Sequence, residues 1–152
     1  MKVVFTDDHR LHFAQGEISG GEFVTPFERP SRMEYIFREL RKRKMDDIIP
    51  PLAVDMKAVA RVHDKGFLKF LQTAWSEWQA AGYRGAIVPT GFQARSLRQR
   101  CPKHIDGKVG YYIQSVKPCI TDGTWDAARA TAHVALTPQK PSGNGAGSAF
   151  PL

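Results

Sequence analysis

A chain of 152 residues, 42% apolar and 11% aromatic, is long enough for one domain with a real core, and such a composition excludes wholesale disorder. The net charge of +7 would ordinarily point to nucleic acid or another anion as partner, yet the charge is unevenly spread. Before Arg29 the acids Asp7, Asp8, Glu17, Glu22 and Glu28 outnumber Lys2 and Arg10. The positive charge gathers in Arg38, Arg41, Lys42, Arg43 and Lys44, which close a predicted helix and complement its dipole. A second basic group, Arg95, Arg98, Arg100 and Lys103, lies in a predicted loop. It is the footing of a distant nucleic-acid reading, and no nucleic-acid motif supports it. Asp7 and Asp8 come too soon for a secretory signal, and no apolar run is long enough to span a bilayer. Cys101 and Cys119 call for no disulfide framework, so a reducing cytoplasm and no membrane are the expectation.

In chain order, residues 2–6 are rich in β-formers and read as a first strand. Residues 6–29 show no helical period and carry Gly16, Gly20, Gly21 and Pro26, which mark a long surface loop. A helix follows, with Pro30 in its first turn, a cap near Ser31 and Met33, Ile36, Phe37 and Leu40 as its buried stripe. Ile48 and Ile49 form a brief second strand stopped by Pro50 and Pro51. Asp55 caps a helix from Met56 to about His63, which Gly66 separates from the next or bends into it. In that next helix Phe67, Leu71, Ala74 and Trp78 recur at three- and four-residue steps, with Phe70 and Trp75 widening the face. Gly82 ends it.

A second long loop is expected over residues 84–112, with a short extended piece at Ala86, Ile87, Val88 and Pro89. Thr121, Asp122, Gly123 and Thr124 signal a helix start, and Trp125, Ala128, Ala132 and Leu136 give its stripe. From Pro138 the chain loses period and apolar face, and residues 138–152 read as a disordered tail.

The residues alone carry little chemistry. Asp7 and His9, an Asp-x-His after a strand, could begin an oxygen-nitrogen zinc site, but no third ligand is identifiable and an exposed acidic turn is the commoner meaning. His63 and Asp64 are adjacent and point to different faces of a helix, so a histidine at a helix end is favoured over an oriented base. Nucleophile elbow, phosphate-binding glycine loop and Cys-x-x-Cys are all missing from the sequence.

Several runs nonetheless resemble a known family. Val62-His63-Asp64-Lys65-Gly66-Phe67-Leu68-Lys69-Phe70-Leu71 resembles a stretch near the start of histone deacetylase-like proteins. Together with Gly20-Gly21-Glu22-Phe23-Val24-Thr25-Pro26-Phe27-Glu28, Ile105-Asp106-Gly107-Lys108-Val109-Gly110-Tyr111-Tyr112 and Gly123-Thr124-Trp125-Asp126-Ala127-Ala128, it is similar to the bacterial acetylpolyamine amidohydrolases. The resemblance covers residues 1–137 and implies an α/β class: the N-terminal part of a three-layer α/β/α parallel-sheet deacetylase fold, incomplete, with two long loops. It implies a partial deacetylase-like domain at 1–137 and an unrelated tail at 138–152, as a frameshift or early stop would leave.

The family hydrolyses the amide of acetylated polyamines or acetyl-lysine with a zinc held by two aspartates and a histidine, two adjacent histidines and a tyrosine. The resemblance places all of these beyond residue 137, so the chain is expected to carry no catalytic residue, metal ligand or cofactor of its own and to be inactive alone. A surviving interaction or dimerisation fragment is the alternative. Glu17 matches a first-loop acid at the tunnel mouth that meets a cationic substrate, and Asp106 a second-loop acid of the polyamine enzymes. Arg32 resembles an arginine lining the acetate channel, with a helix salt bridge as its plainer role. Lys117 departs from the pattern, because some relatives carry an acid there. In dimeric members the second loop, here residues 84–112, reaches across to the partner subunit, so a homo-oligomer is implied.

Overall fold

The computed structural model describes residues 2–53, 55–94, 96–139 and 149–152. The chain runs β1 (Lys2–Val4), a 3-10 turn (Asp7–Leu11), β2 (Glu17–Ser19), β3 (Glu22–Val24), α1 (Arg32–Lys42), β4 (Asp47–Ile49), the single turn α2 (Lys57–Ala60), α3 (Lys65–Ala80), α4 (Ile105–Tyr112), α5 (Thr124–Leu136), a second 3-10 turn (Thr137–Gln139) and β5 (Ala149–Pro151). It is an α/β fold with a parallel sheet, as expected.

The sheet has the order β4-β1-β5, and β1 runs parallel to both neighbours. Val3 and Val4 are both fully buried although they point to opposite faces. That pattern belongs to a central parallel strand covered on two sides, where apolar residues run on instead of alternating. Ile48 pairs with Val3 from β4, and Phe150 pairs with it from β5.

The expected tail therefore needs correcting in part. Ala149–Pro151 form a strand, and Leu152 N donates to the Val4 carbonyl at 3.1 Å. The open edge of β1 supplies the unpaired backbone groups that an apolar Ala-Phe-Pro segment can match. Residues 140–148 of that expectation lie outside the described residues. Thr137 is itself an anchor: buried, its Oγ1 accepts from Leu52 N at 2.9 Å and donates to the His133 carbonyl at 2.6 Å.

α3 organises the core. Phe70 and Ala74 are buried with Ile87, Ile105, Val109, Ile113 and Ile120, while Phe67, Leu71, Trp75 and Trp78 pack at the margin. Asp64 caps the helix by accepting from Phe67 N at 2.9 Å, so the break from α2 falls at residues 61–64 and Gly66 lies inside the first turn of α3. Gly66 is there for space: a Cβ would strike the Tyr112 hydroxyl and the Asp64 carboxylate. At the far end Gly82 takes φ +90°, Gly82 N donates to the Gln79 carbonyl and Tyr83 N to the Trp78 carbonyl, the paired bonds of a Schellman stop.

Five expectations change. Residues 6–29 are not structureless: after the 3-10 turn, β2 and β3 form a hairpin closed by Gly20 and Gly21 at φ +61° and +85°, the two left-handed residues of a type I′ turn. The second loop is shorter than 84–112, because Ile105–Tyr112 are helical. α2 ends at Ala60, not near His63. The buried line of α5 is Ala127, Ala130 and Val134, while Trp125, Ala128 and Ala132 face a groove of about 190 Å³ against α2 and α3. No residue of α1 is fully buried; its Phe37 meets Phe5 edge-on at 4.5 Å between centroids.

Candidate functional site

The hairpin and the turn before it build a mouth on one side of the sheet. Glu17 opens β2 half-buried, and its Oε2 accepts from Phe27 N at 3.3 Å. The Phe23 ring lies over Gly16 so closely that a Cβ there would enter the ring. Glu17 then lines a cavity of about 430 Å³ together with His12, Phe27, Glu28, Lys117 and Cys119. A neighbouring cavity of about 330 Å³ shares His12 and Glu28 and adds Arg29, Arg32, Met33 and Leu152.

His12 therefore stands between the two. Its Nδ1 hydrogen-bonds Thr124 Oγ1 at 2.8 Å, the hydroxyl that also accepts from Thr121 N, which ties the first turn to the start of α5. Burial lowers the His12 pKa, so the ring is neutral at neutral pH. No local pattern in the sequence announces this contact, which joins residues 112 positions apart. Burial raises the Cys119 pKa and keeps that thiol protonated.

Arg32 opens α1, and its guanidinium pairs with the Glu28 carboxylate. Both side chains are more than half exposed, so the pair adds little stability while still forming cavity wall. Glu17 and Arg32 are thus brought to adjoining cavities. Asp106 is not. It sits exposed in the first turn of α4, where Oδ1 meets His104 Nδ1 at 2.6 Å and accepts from Gly107 N at 2.6 Å. The His104 hydrogen bond, then the Gly107 amide, hold its carboxyl below the usual range. Lys108 on the same helix binds Glu77 Oε2 at 2.6 Å and so clamps α4 onto α3. That bond, with Thr73 second, lowers the Glu77 pKa.

Among the described residues, Asp7 and His9 do not assemble a zinc site. Asp7 is engaged by Arg10 at 3.4 Å, and His9 Nδ1 faces the Thr6 carbonyl at 3.0 Å. His9 Nε2 is buried without a partner, but among the described residues no three His, Cys, Asp or Glu side chains gather closely enough to hold a metal. Of the second basic group, Arg98, Arg100 and Lys103 are exposed and Arg95 lies outside the described residues. Among the described residues no helix is long and apolar enough to cross a membrane.

No protein-family model matches the chain. It is 41% identical over 136 residues to the acetylpolyamine amidohydrolase of Mycoplana ramosa, a match covering 90% of this chain and 40% of that protein. To acetylpolyamine amidohydrolase 2 of Pseudomonas aeruginosa it is 39% identical over 152 residues, covering 100% of this chain and 44% of the other. That match takes in the residues after 137. The crystal structure of acetylpolyamine aminohydrolase from Burkholderia pseudomallei superposes with a TM-score of 0.79 at 23% identity, over 91% of this chain and 40% of that one, which establishes the shared fold. The chain spans about two fifths of the length of the curated relatives it matches. By sequence and by fold, it belongs with the acetylpolyamine amidohydrolases and represents an N-terminal portion of that family.

Proposed function

We propose that this chain forms the substrate mouth of a deacetylase acting on acetylated polyamines or acetyl-lysine amides, and that these 152 residues alone do not catalyse the hydrolysis. The observation that carries the reading is Glu17, a half-buried carboxylate on the wall of a cavity of about 430 Å³. A carboxylate held at a partly desolvated wall attracts an ammonium group more strongly than one in open water. Inactivity follows from the span. The resemblance puts zinc ligands, paired histidines and tyrosine in the part of the relatives that these residues do not reach, and the described residues do not assemble a substitute. Arg32, on the adjoining cavity, would face the acetate side.

Asp106 lies away from the Glu17 cavity and exposed, which suits a second loop that acts on a neighbouring subunit. In that arrangement the chain is a homo-oligomer and residues 84–112 carry the contact. As the alternative, the same exposed loop would serve a non-catalytic dimerisation fragment.

Calorimetric titration of the purified chain with acetylputrescine tests the mouth. Glu17→Gln is expected to weaken binding about fivefold, equivalent to about 1 kcal/mol for a partly solvated ion pair. Equal affinity in wild type and variant would refute it.

A further inference from the structure

The Glu17 cavity contains both signs of charge, and the two do not cancel. Glu17 accepts only from a backbone amide, and neither its carboxylate nor the Lys117 ammonium enters an ion pair among the described residues. Glu28 is neutralised by Arg32. His12 is neutral at neutral pH because burial lowers its pKa. The wall thus offers one unpaired anion and one unpaired cation around a volume of about 430 Å³, within the range of roughly 300–1,000 Å³ usual for small-molecule sites.

From this juxtaposition we infer that the mouth selects a zwitterion, an ω-acetamido amino acid with a free α-ammonium and a free α-carboxylate, over an acetylated polyamine, and that Lys117 is the specificity-determining residue. The inference rests on the reading of Glu17 as the acid that receives the substrate's ammonium, and it narrows the substrate class at that same site. A polyamine satisfies Glu17 but brings its cation beside Lys117, where like charges repel. An amino-acid head satisfies both: its ammonium meets Glu17 while its carboxylate meets Lys117, and neither wall charge is left without a counter-ion. Discrimination then comes from a repulsive element as well as an attractive one. Lys117 is exposed, and its backbone amide, bonded to Ser115 Oγ at 3.2 Å, is unaffected by a change of side chain.

Nε-acetyllysine and N-acetylcadaverine make the matched pair, since they differ only in the α-carboxylate. Titration of the purified 152-residue chain is expected to give about three- to fivefold tighter binding of acetyllysine. Lys117→Met should equalise the two and Lys117→Glu should reverse the order, with thermal melts showing that both variants remain folded. Acetylcadaverine binding as tightly as acetyllysine, or a ratio unmoved by Lys117→Glu, overturns the inference while a Glu17-dependent affinity leaves the mouth reading standing. Binding of neither ligand overturns both.

Discussion

His12 shows how one side chain can join distant parts of this chain at a measurable cost. It is placed by the 3-10 turn after β1, half-buried, and bonded through Nδ1 to Thr124 Oγ1 at 2.8 Å. Desolvation lowers its folded pKa from the ordinary value of 6.5. A histidine with a depressed folded pKa binds more protons when unfolded, so its contribution to stability is fully present above 6.5 and is lost as pH falls below that value through the depressed folded pKa. Urea unfolding from pH 8 to pH 5 should therefore show declining stability, and His12→Gln should flatten that slope. A slope identical in the variant would place the sensitivity elsewhere. Glu77 works in the same direction at lower pH: Lys108 depresses its pKa below 4.5, so its contribution fades as pH falls through that depressed value.

The residues legible in the sequence were those whose role is local. Gly82 as a stop depends on neighbours a few positions away, whereas Asp64 as the cap of α3 was not anticipated. Glu17 and Arg32 could be singled out by resemblance, but their placement on adjoining cavities sharing His12 and Glu28 is a property of the fold. His104 as the partner of Asp106 was not anticipated.

At the scale of elements, periodicity disclosed β1, β4, α1, α3 and α5 because each has enough residues, or enough β-branched ones, to declare a face. α4 stayed hidden. Gly107 and Gly110 depress helix propensity within its eight residues, and both are required by packing. A Cβ on Gly107 would meet the Pro102 ring, and one on Gly110 would enter the Gly91 carbonyl. The β2–β3 hairpin was missed because its arms are three residues each, and its evidence reduces to the Gly20-Gly21 turn. The face of α5 was misjudged because Ala127 and Ala130 are small residues that pack closely, while the larger Trp125 lines a groove.

Gly123, before α5, carries the tightest demand at this scale. A Cβ there would run into the Leu11 carbonyl and side chain, where the first 3-10 turn rests on the helix. Gly123→Ala should destabilise by about 1–3 kcal/mol, as overpacking does when backbone must move. Differential scanning calorimetry would show it as a lowered Tm. An unchanged Tm would mean that the turn is not seated on α5 as described.

For the whole molecule, the described sheet has β4 and β5 as its two edges, with Ile48 42% and Phe150 51% exposed. Phe23 and Phe27 beside the mouth are exposed at 73% and 70%. Such apolar surface is what an N-terminal portion of a larger sheet presents, and it suits association with further chain or with a second copy. Length and charge alone would have allowed a small basic nucleic-acid binder. What outweighed that reading was the order of residue runs, carried by two matches over at least 90% of this chain and under half of each relative.

The central claim is that these 152 residues form the mouth of an acetylpolyamine amidohydrolase-type fold and not its reacting centre. The purified chain, incubated with zinc and desalted, can be assayed for bound metal and for acetate release from acetylputrescine in one experiment. The account predicts metal well below one equivalent and acetate release no faster than the buffer blank. One zinc per chain together with sustained turnover would contradict it.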